Sequence, residues 1–191
     1  MKKQSWVIIP IDSHISFEIP SGSLNAVQGY CGNLEGNVES TLHEFEEAKL
    51  QLEIPVKYVS ISDRSLSSLL SRVKKDAHST CSVLNVEGVI KETNFDEVYI
   101  FSGTLSSAGY KNHFSMFVTG GNETNISGNL AESCFDFTGQ LDVAGLWPKD
   151  VASLIHWKDL STMIILRGRI KIKRVVDTEN KKTICHKLNS V

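Results

Sequence analysis

Apolar and polar residues alternate with a period of two along most of this chain. Ile15, Phe17 and Ile19 interleave with His14, Ser16 and Glu18, and Leu50, Leu52 and Ile54 with Lys49, Gln51 and Glu53. Phe135, Phe137, Leu141 and Val143 oppose Asp136, Thr138, Gln140 and Asp142, while Ile164, Leu166, Ile170 and Ile172 oppose Arg167, Arg169, Lys171 and Lys173. Successive side chains of a strand point to opposite faces, so each of these segments has one dry and one wet side. The same reading predicts strands over residues 6–19, 27–38, 80–90, 98–105, 113–119, 124–130 and 161–173. Gly29, Gly32 and Gly36 punctuate the second of these as bulges or tight curvature would. Gly120-Gly121-Asn122 is a hairpin signal.

One stretch has the helical period instead. Leu66, Leu69, Leu70 and Val73 fall at i, i+3, i+4 and i+7, which predicts a helix over 65–75 with Asp63 as its N-cap. Arg72, Lys74 and Lys75 suit its carbonyl end. A helix this short cannot hold itself together in water, so its leucines must lie on something larger.

About eight strands of even spacing joined by short turns suit an antiparallel up-and-down β-barrel better than parallel units, which need repeated helices. The expected fold class is therefore mainly β, with one short helix over an opening or a flank; a β-sandwich is the rival. The 191 residues suffice for one sizeable core. The expected division is a barrel domain over 1–175 and a polar, lysine-rich tail over 176–191.

Charge and chemistry subtract functions rather than add them. A net charge of −2, from 20 basic and 22 acidic residues, gives no bulk attraction for nucleic acid or an anionic membrane. No run approaches the ~20 apolar residues of a membrane span. The start, MKKQSWVIIPID, is too brief an apolar run for a signal peptide, which leads to an expected cytoplasmic location, or a periplasmic one if a leader was removed. The sequons at Asn122 and Asn125 carry little weight without secretion. Cys31, Cys81, Cys134 and Cys185 stand far apart, as reduced structural thiols do. The six histidines have no metal-ligand spacing, and neither a nucleophile elbow nor a phosphate-binding loop is present. No metal, cofactor or catalytic residue is expected, and the chain does not read as an enzyme. Arg167, Arg169, Lys171 and Lys173 form a basic ladder that either meets phosphates or is a solvated outer face. Trp147-Pro148 either touches a ligand at a rim or anchors its loop.

With the strands laid out, the chain resembles the YceI-like family of lipocalin-like barrels. Trp6, Pro10, Ser13, Ile15 and Phe17 stand in the family's order and spacing, with Ile9 where the family has an aspartate and Asp12 where it has a histidine. Gly29, Gly32, Leu34, Gly36 and Val38 match its glycine-punctuated strand, with Cys31 where phenylalanine is usual. Residues 66–83 resemble its helix and following strand, although His78-Ser79 replace Tyr-Pro and Cys81 and Val83 replace isoleucine and phenylalanine. Residues 102–109 and 137–148 are similar to two further segments, so the resemblance covers about residues 5–175.

The resemblance implies a binding protein that holds a polyisoprenoid, an isoprenoid quinone or a fatty-acyl-like chain inside the barrel, as carrier or sequestering protein. The alternative is a structural or interaction domain whose barrel is filled by its own side chains. About ten buried methylene-sized units contribute on the order of 8 kcal/mol, near micromolar affinity before ordering costs, so such a site needs no polar motif. Parity places Phe17, Ile19, Leu52, Ile54, Leu84, Val86, Phe114, Met116, Phe135, Phe137, Leu141, Leu166 and Ile170 on the ligand-lining face. Leu66, Leu69, Leu70 and Val73 are the expected lid. The expected partner is the apolar isoprenoid or acyl lipid, with monomer and homodimer both open.

Overall fold

A computed structural model describes residues 3–22, 26–41, 44–75, 83–93, 95, 97–107, 110–127, 130–145 and 159–175. In chain order the elements are β1 (Lys3–Ile8), a 3-10 turn (Pro10–Asp12), β2 (His14–Ile19), β3 (Val27–Gly32), β4 (Glu35–Thr41) and β5 (Glu44–Pro55). A second 3-10 turn (Val56–Tyr58), β6 (Val59–Ile61), α1 (Arg64–Lys75), β7 (Val83–Glu92) and β8 (Val98–Ser107) follow. The chain continues through β9 (Tyr110–Gly120), β10 (Thr124–Ser127), β11 (Leu130–Asp142) and β12 (Met163–Arg174).

Every pairing is antiparallel, and the ring β1-β4-β5-β7-β8-β9-β11-β12 closes on itself as an eight-stranded barrel. Three of its staves are longer than one strand. β12 pairs with β1 along Ile172–Arg174 and with β2 along Ile165–Arg169, so β1 and β2 are two halves of one bent stave. β3 with β4 and β5 with β6 are bent in the same way, and β2-β3-β6 continue the sheet beyond the ring.

The predicted strand over 6–19 is thus interrupted, and the reason is local. Pro10 has no N–H for the ladder and sits at the first position of the 3-10 turn. The strand predicted over 27–38 breaks likewise at Asn33, whose φ of 55° is left-handed and outside the strand region. These breaks and the turn at Val56–Tyr58 lie at one level of the barrel, because His14 pairs with Gly32 and Cys31 with Val59. Past that level β5 leaves β7 at the Pro55–Val83 pair, and among the described residues no pairing joins β6 to β7. α1 follows β6 at this end, which we call the upper end. Its start was legible: the Leu66 N–H donates to Asp63 Oδ1 at 3.0 Å.

Inward-facing glycines give the sheet its curvature. Gly88 and Gly103 pair across β7 and β8 beneath the Phe101 ring, which a Cβ at either position would overlap. Gly168 pairs with Phe137 and lies beneath its ring in the same way. No described helix is long and apolar enough to cross a membrane.

Candidate functional site

Because the ring is closed, every inward side chain meets others across the axis. The result is a cavity of about 150 Å³ with only apolar side chains and the Cys31 thiol in its wall. β5 contributes Leu50, Leu52 and Ile54; β7, Leu84, Val86 and Ile90; β8, Phe101 and Leu105; and β9, Phe114, Met116 and Val118. β11 adds Phe135, Phe137 and Leu141 with Val143 just beyond it, and β12 adds Ile164, Leu166 and Ile170. The bent staves close the circle with Ile15, Phe17, Cys31, Val38 and Val59. From Ile164 to Ile170 the wall runs for about 20 Å of strand, or about 15 Å along the axis at ordinary barrel tilt.

The lower end is sealed. The Trp6 and Phe45 rings lie 5.2 Å apart, and Phe45 meets Phe135 edge-on at 4.8 Å. Trp6 is 1% exposed, and its Nε1–H donates to Ser40 Oγ at 2.9 Å, so its one polar atom is satisfied inside the core. Phe45 reaches this place through a break in the β4–β5 register opposite Glu39–Thr41, with Glu47 at a φ of 57°. Beneath the rings, the Arg174 guanidinium lies 5.9 Å from the Trp6 ring and pairs with Glu123 at 3.2 Å.

The upper end is looser. Phe17, Val59, Leu84, Phe114, Met116 and Leu166 line the cavity and keep part of their surface exposed. Above them, polar side chains are tied to backbone carbonyls. Tyr110 Oη and Asn112 Nδ2 both donate to the Asp142 carbonyl, at 2.7 and 2.6 Å, and Ser107 Oγ donates to the Val83 carbonyl at 3.1 Å. Burial pushes the Tyr110 phenol above its ordinary pKa.

Of the residues that parity assigned to the lining, all but Ile19 stand in the cavity wall. Ile19 is 1% exposed and belongs to the core, but it lies on β2 beyond the cavity, at the level of Val27. The reading missed Leu50, Ile90, Val118, Val143 and Ile164, although each shares the parity of a neighbour that it named. It also missed Val38, Val59 and, on β8, from which it named none, Phe101 and Leu105. Ile15 shares the face already given to Phe17 and was left out, whereas Cys31 was hidden because the stave bends near it. Of the expected lid, Leu66 is buried without reaching the cavity wall. The side chains of Leu69, Leu70 and Val73 lie outside the described residues, as do residues 146–158 with Trp147 and Pro148, Cys81, Cys185, and the tail from residue 176.

The basic ladder faces outward, and Arg169 and Lys171 in it are paired. Arg169 grips Asp136 with Nε and Nη2 at 2.8 and 3.0 Å, and Lys171 Nζ lies 2.8 Å from Glu132 and 3.3 Å from Asp12. Asp12, where the resembled family has a histidine, is thus a partner of β12 here. Cys134 lies between these pairs as a free thiol whose pKa is raised mainly by burial. Among the described residues, no group of three or more His, Cys, Asp or Glu is placed to hold a metal.

No protein-family profile and no curated protein sequence matches the chain. Solved structures do. A polyisoprenoid-binding domain from Saccharophagus degradans, implicated in plant cell wall breakdown, aligns over 89% of this chain and 98% of its own, with a TM-score of 0.60 and 15% identity. Burkholderia cenocepacia BcnA aligns over 86% and 98%, with a TM-score of 0.61 and 14% identity. The Campylobacter jejuni YceI protein aligns over 83% and 90%, with a TM-score of 0.58 and 13% identity. At such identities the likeness is one of fold: the chain has the YceI-like barrel.

Proposed function

We propose that this protein binds one apolar chain, isoprenoid or acyl, inside its barrel, and acts as a carrier or sequestering protein for it. The observation that supports this is a cavity walled by apolar side chains over about 15 Å of barrel, sealed at one end and loose at the other. Each methylene-sized unit that leaves water for such a wall contributes about 0.8 kcal/mol, and no polar contact is needed for affinity. α1 stands at the loose end, where a chain enters, and its place there suits a lid.

The fold supports the same reading without deciding it, since eight-stranded barrels are found both filled and ligand-holding. The cavity as it stands is the size of an apolar void that stays dry and admits benzene. That modest volume favours a second reading, a barrel packed shut by Phe101, Phe114, Phe135 and Phe137 that serves as a structural or interaction domain.

Native mass spectrometry and solvent extraction of the purified chain separate the two. A co-purifying apolar molecule of one-to-one stoichiometry, or saturable uptake of Nile red quenched by farnesol, is the expected result. A protein that carries nothing and takes up no apolar probe would be the closed domain of the second reading.

A further inference from the structure

We infer that the barrel accepts a short apolar chain tail first from the α1 end, and that the Trp6–Phe45–Phe135 cluster is the stop that sets its length. This rests on the chain-binding reading above and adds a direction and a limit to it.

The direction follows from where a polar end group keeps its hydrogen bonds. No wall residue offers a hydroxyl, amide or charge, so an alcohol or phosphate drawn into the cavity would leave water unpaired. The end group must stay at a mouth. At the lower end, Trp6, Ala48, Ala131 and Ile172 are each at most 1% exposed, and the Arg174–Glu123 pair lies beneath the rings. At the other end Ile19 and Val143 are as deeply buried, but among the described residues the wall itself runs up to Val143 and Ile164, with its partly exposed members and the polar side chains of Tyr110 and Asn112 on that side. The tail therefore points down.

The limit follows from what the tail meets. Val38 and Phe135 are wall residues, whereas Trp6, which pairs with Val38, and Phe45, which touches Phe135, are not. The cavity ends on those rings. The apolar wall of about 15 Å matches the length of a geranyl or farnesyl chain, prenyl or acyl, and not of a long polyprenyl. The void of about 150 Å³ must widen at the partly exposed upper wall to take the whole chain.

The test uses the full chain, freed of apolar molecules and loaded with Nile red, with geraniol, farnesol, geranylgeraniol and solanesol as competitors. A parallel set runs from decanol to longer linear alcohols. Geraniol or farnesol should compete best, and solanesol at least about tenfold more weakly. Phe45→Ala removes part of the floor and should move the preference toward geranylgeraniol by about tenfold. Val38→Phe raises the floor and should move it toward geraniol, so the stop remains testable if the alanine variant does not fold. The set that binds more tightly identifies the chain as prenyl or acyl. A stop acts on both sets, so a cut-off present in one and absent from the other overturns it. So does solanesol binding as tightly as farnesol, or an unchanged rank order in Val38→Phe. If no alcohol competes and Nile red does not bind, the chain-binding reading itself fails.

Discussion

The two ends of this barrel are built from the same alternating strands, yet one is shut and the other is not. At the lower end, Trp6, Phe45 and Phe135 stack across the axis, and the one polar atom among them, Trp6 Nε1, bonds to Ser40. At the upper end three staves bend at one level, β5 parts from β7, and six wall residues remain half-exposed. The difference is one of packing and not of hydrophobicity. Rings that stack on one another leave no space, whereas partly exposed side chains on bent staves leave a gap that a guest can fill. The stability of the domain should therefore be concentrated low and its capacity for ligand high, and each variant below tests one side of that division.

The largest effect is expected from Trp6→Ala. It removes a fully buried ring, leaves Ser40 without its donor and opens the floor, so a loss of about 3–5 kcal/mol is expected in denaturant midpoint and slope. A loss below about 1 kcal/mol would mean that the lower end is not the stabilising half. Gly168→Ala tests the middle of the barrel. A Cβ there overlaps both the Phe137 ring and the His14 carbonyl, and backbone cannot swing away as a flexible side chain does. A cost of about 1–3 kcal/mol is expected in thermal or urea unfolding. Leu166→Ala, at the upper wall, should cost less, about 1–2 kcal/mol, because part of Leu166 is already exposed. It should also increase Nile red uptake by enlarging the void; unchanged uptake would detach the upper wall from the ligand.

These residues differ in how far the sequence announced them. Leu166 was legible because Arg167 beside it fixes its parity, and one face of an antiparallel strand is dry. The barrel was legible for the same reason, repeated along the chain. Phe45 was not, because it sits at a register break beside an acidic run, where counting by two fails. Trp6 was noted only through the family resemblance; nothing local says that its ring meets a residue from β5. Gly168 is part of an alternation whose meaning depends on a ring from β11. Parity is a local property, but closure and the floor of the cavity come from pairs distant in sequence, which a period of two does not encode. The bends at Pro10–Asp12 and Val56–Tyr58, which set the upper mouth, each had one local sign, Pro10 opening the first and Pro55 immediately before the second.

The smallest expected effect lies on the outer face, away from both ends. The Arg169 guanidinium holds Asp136 with two hydrogen bonds, and those bonds, more than the charge itself, keep its carboxyl below the ordinary aspartate pKa. A carboxyl whose folded pKa is lowered contributes stability that is present above its unfolded value and lost as pH falls through the folded one. The contribution should thus be intact at neutral pH and disappear below about pH 4. Both partners are about half exposed, so the gain is heavily screened and should fall well short of that of any core variant above. Asp136→Asn should lower the melting temperature slightly at pH 7, the gap closing as pH drops below 4 and narrowing in high salt at pH 7. A gap that stays constant from pH 7 to below 4 would trace the effect to side-chain shape or local hydrogen bonding and not to the ion pair. Loss of Nile red binding in this variant would contradict the separation of the charged outer face from the apolar interior.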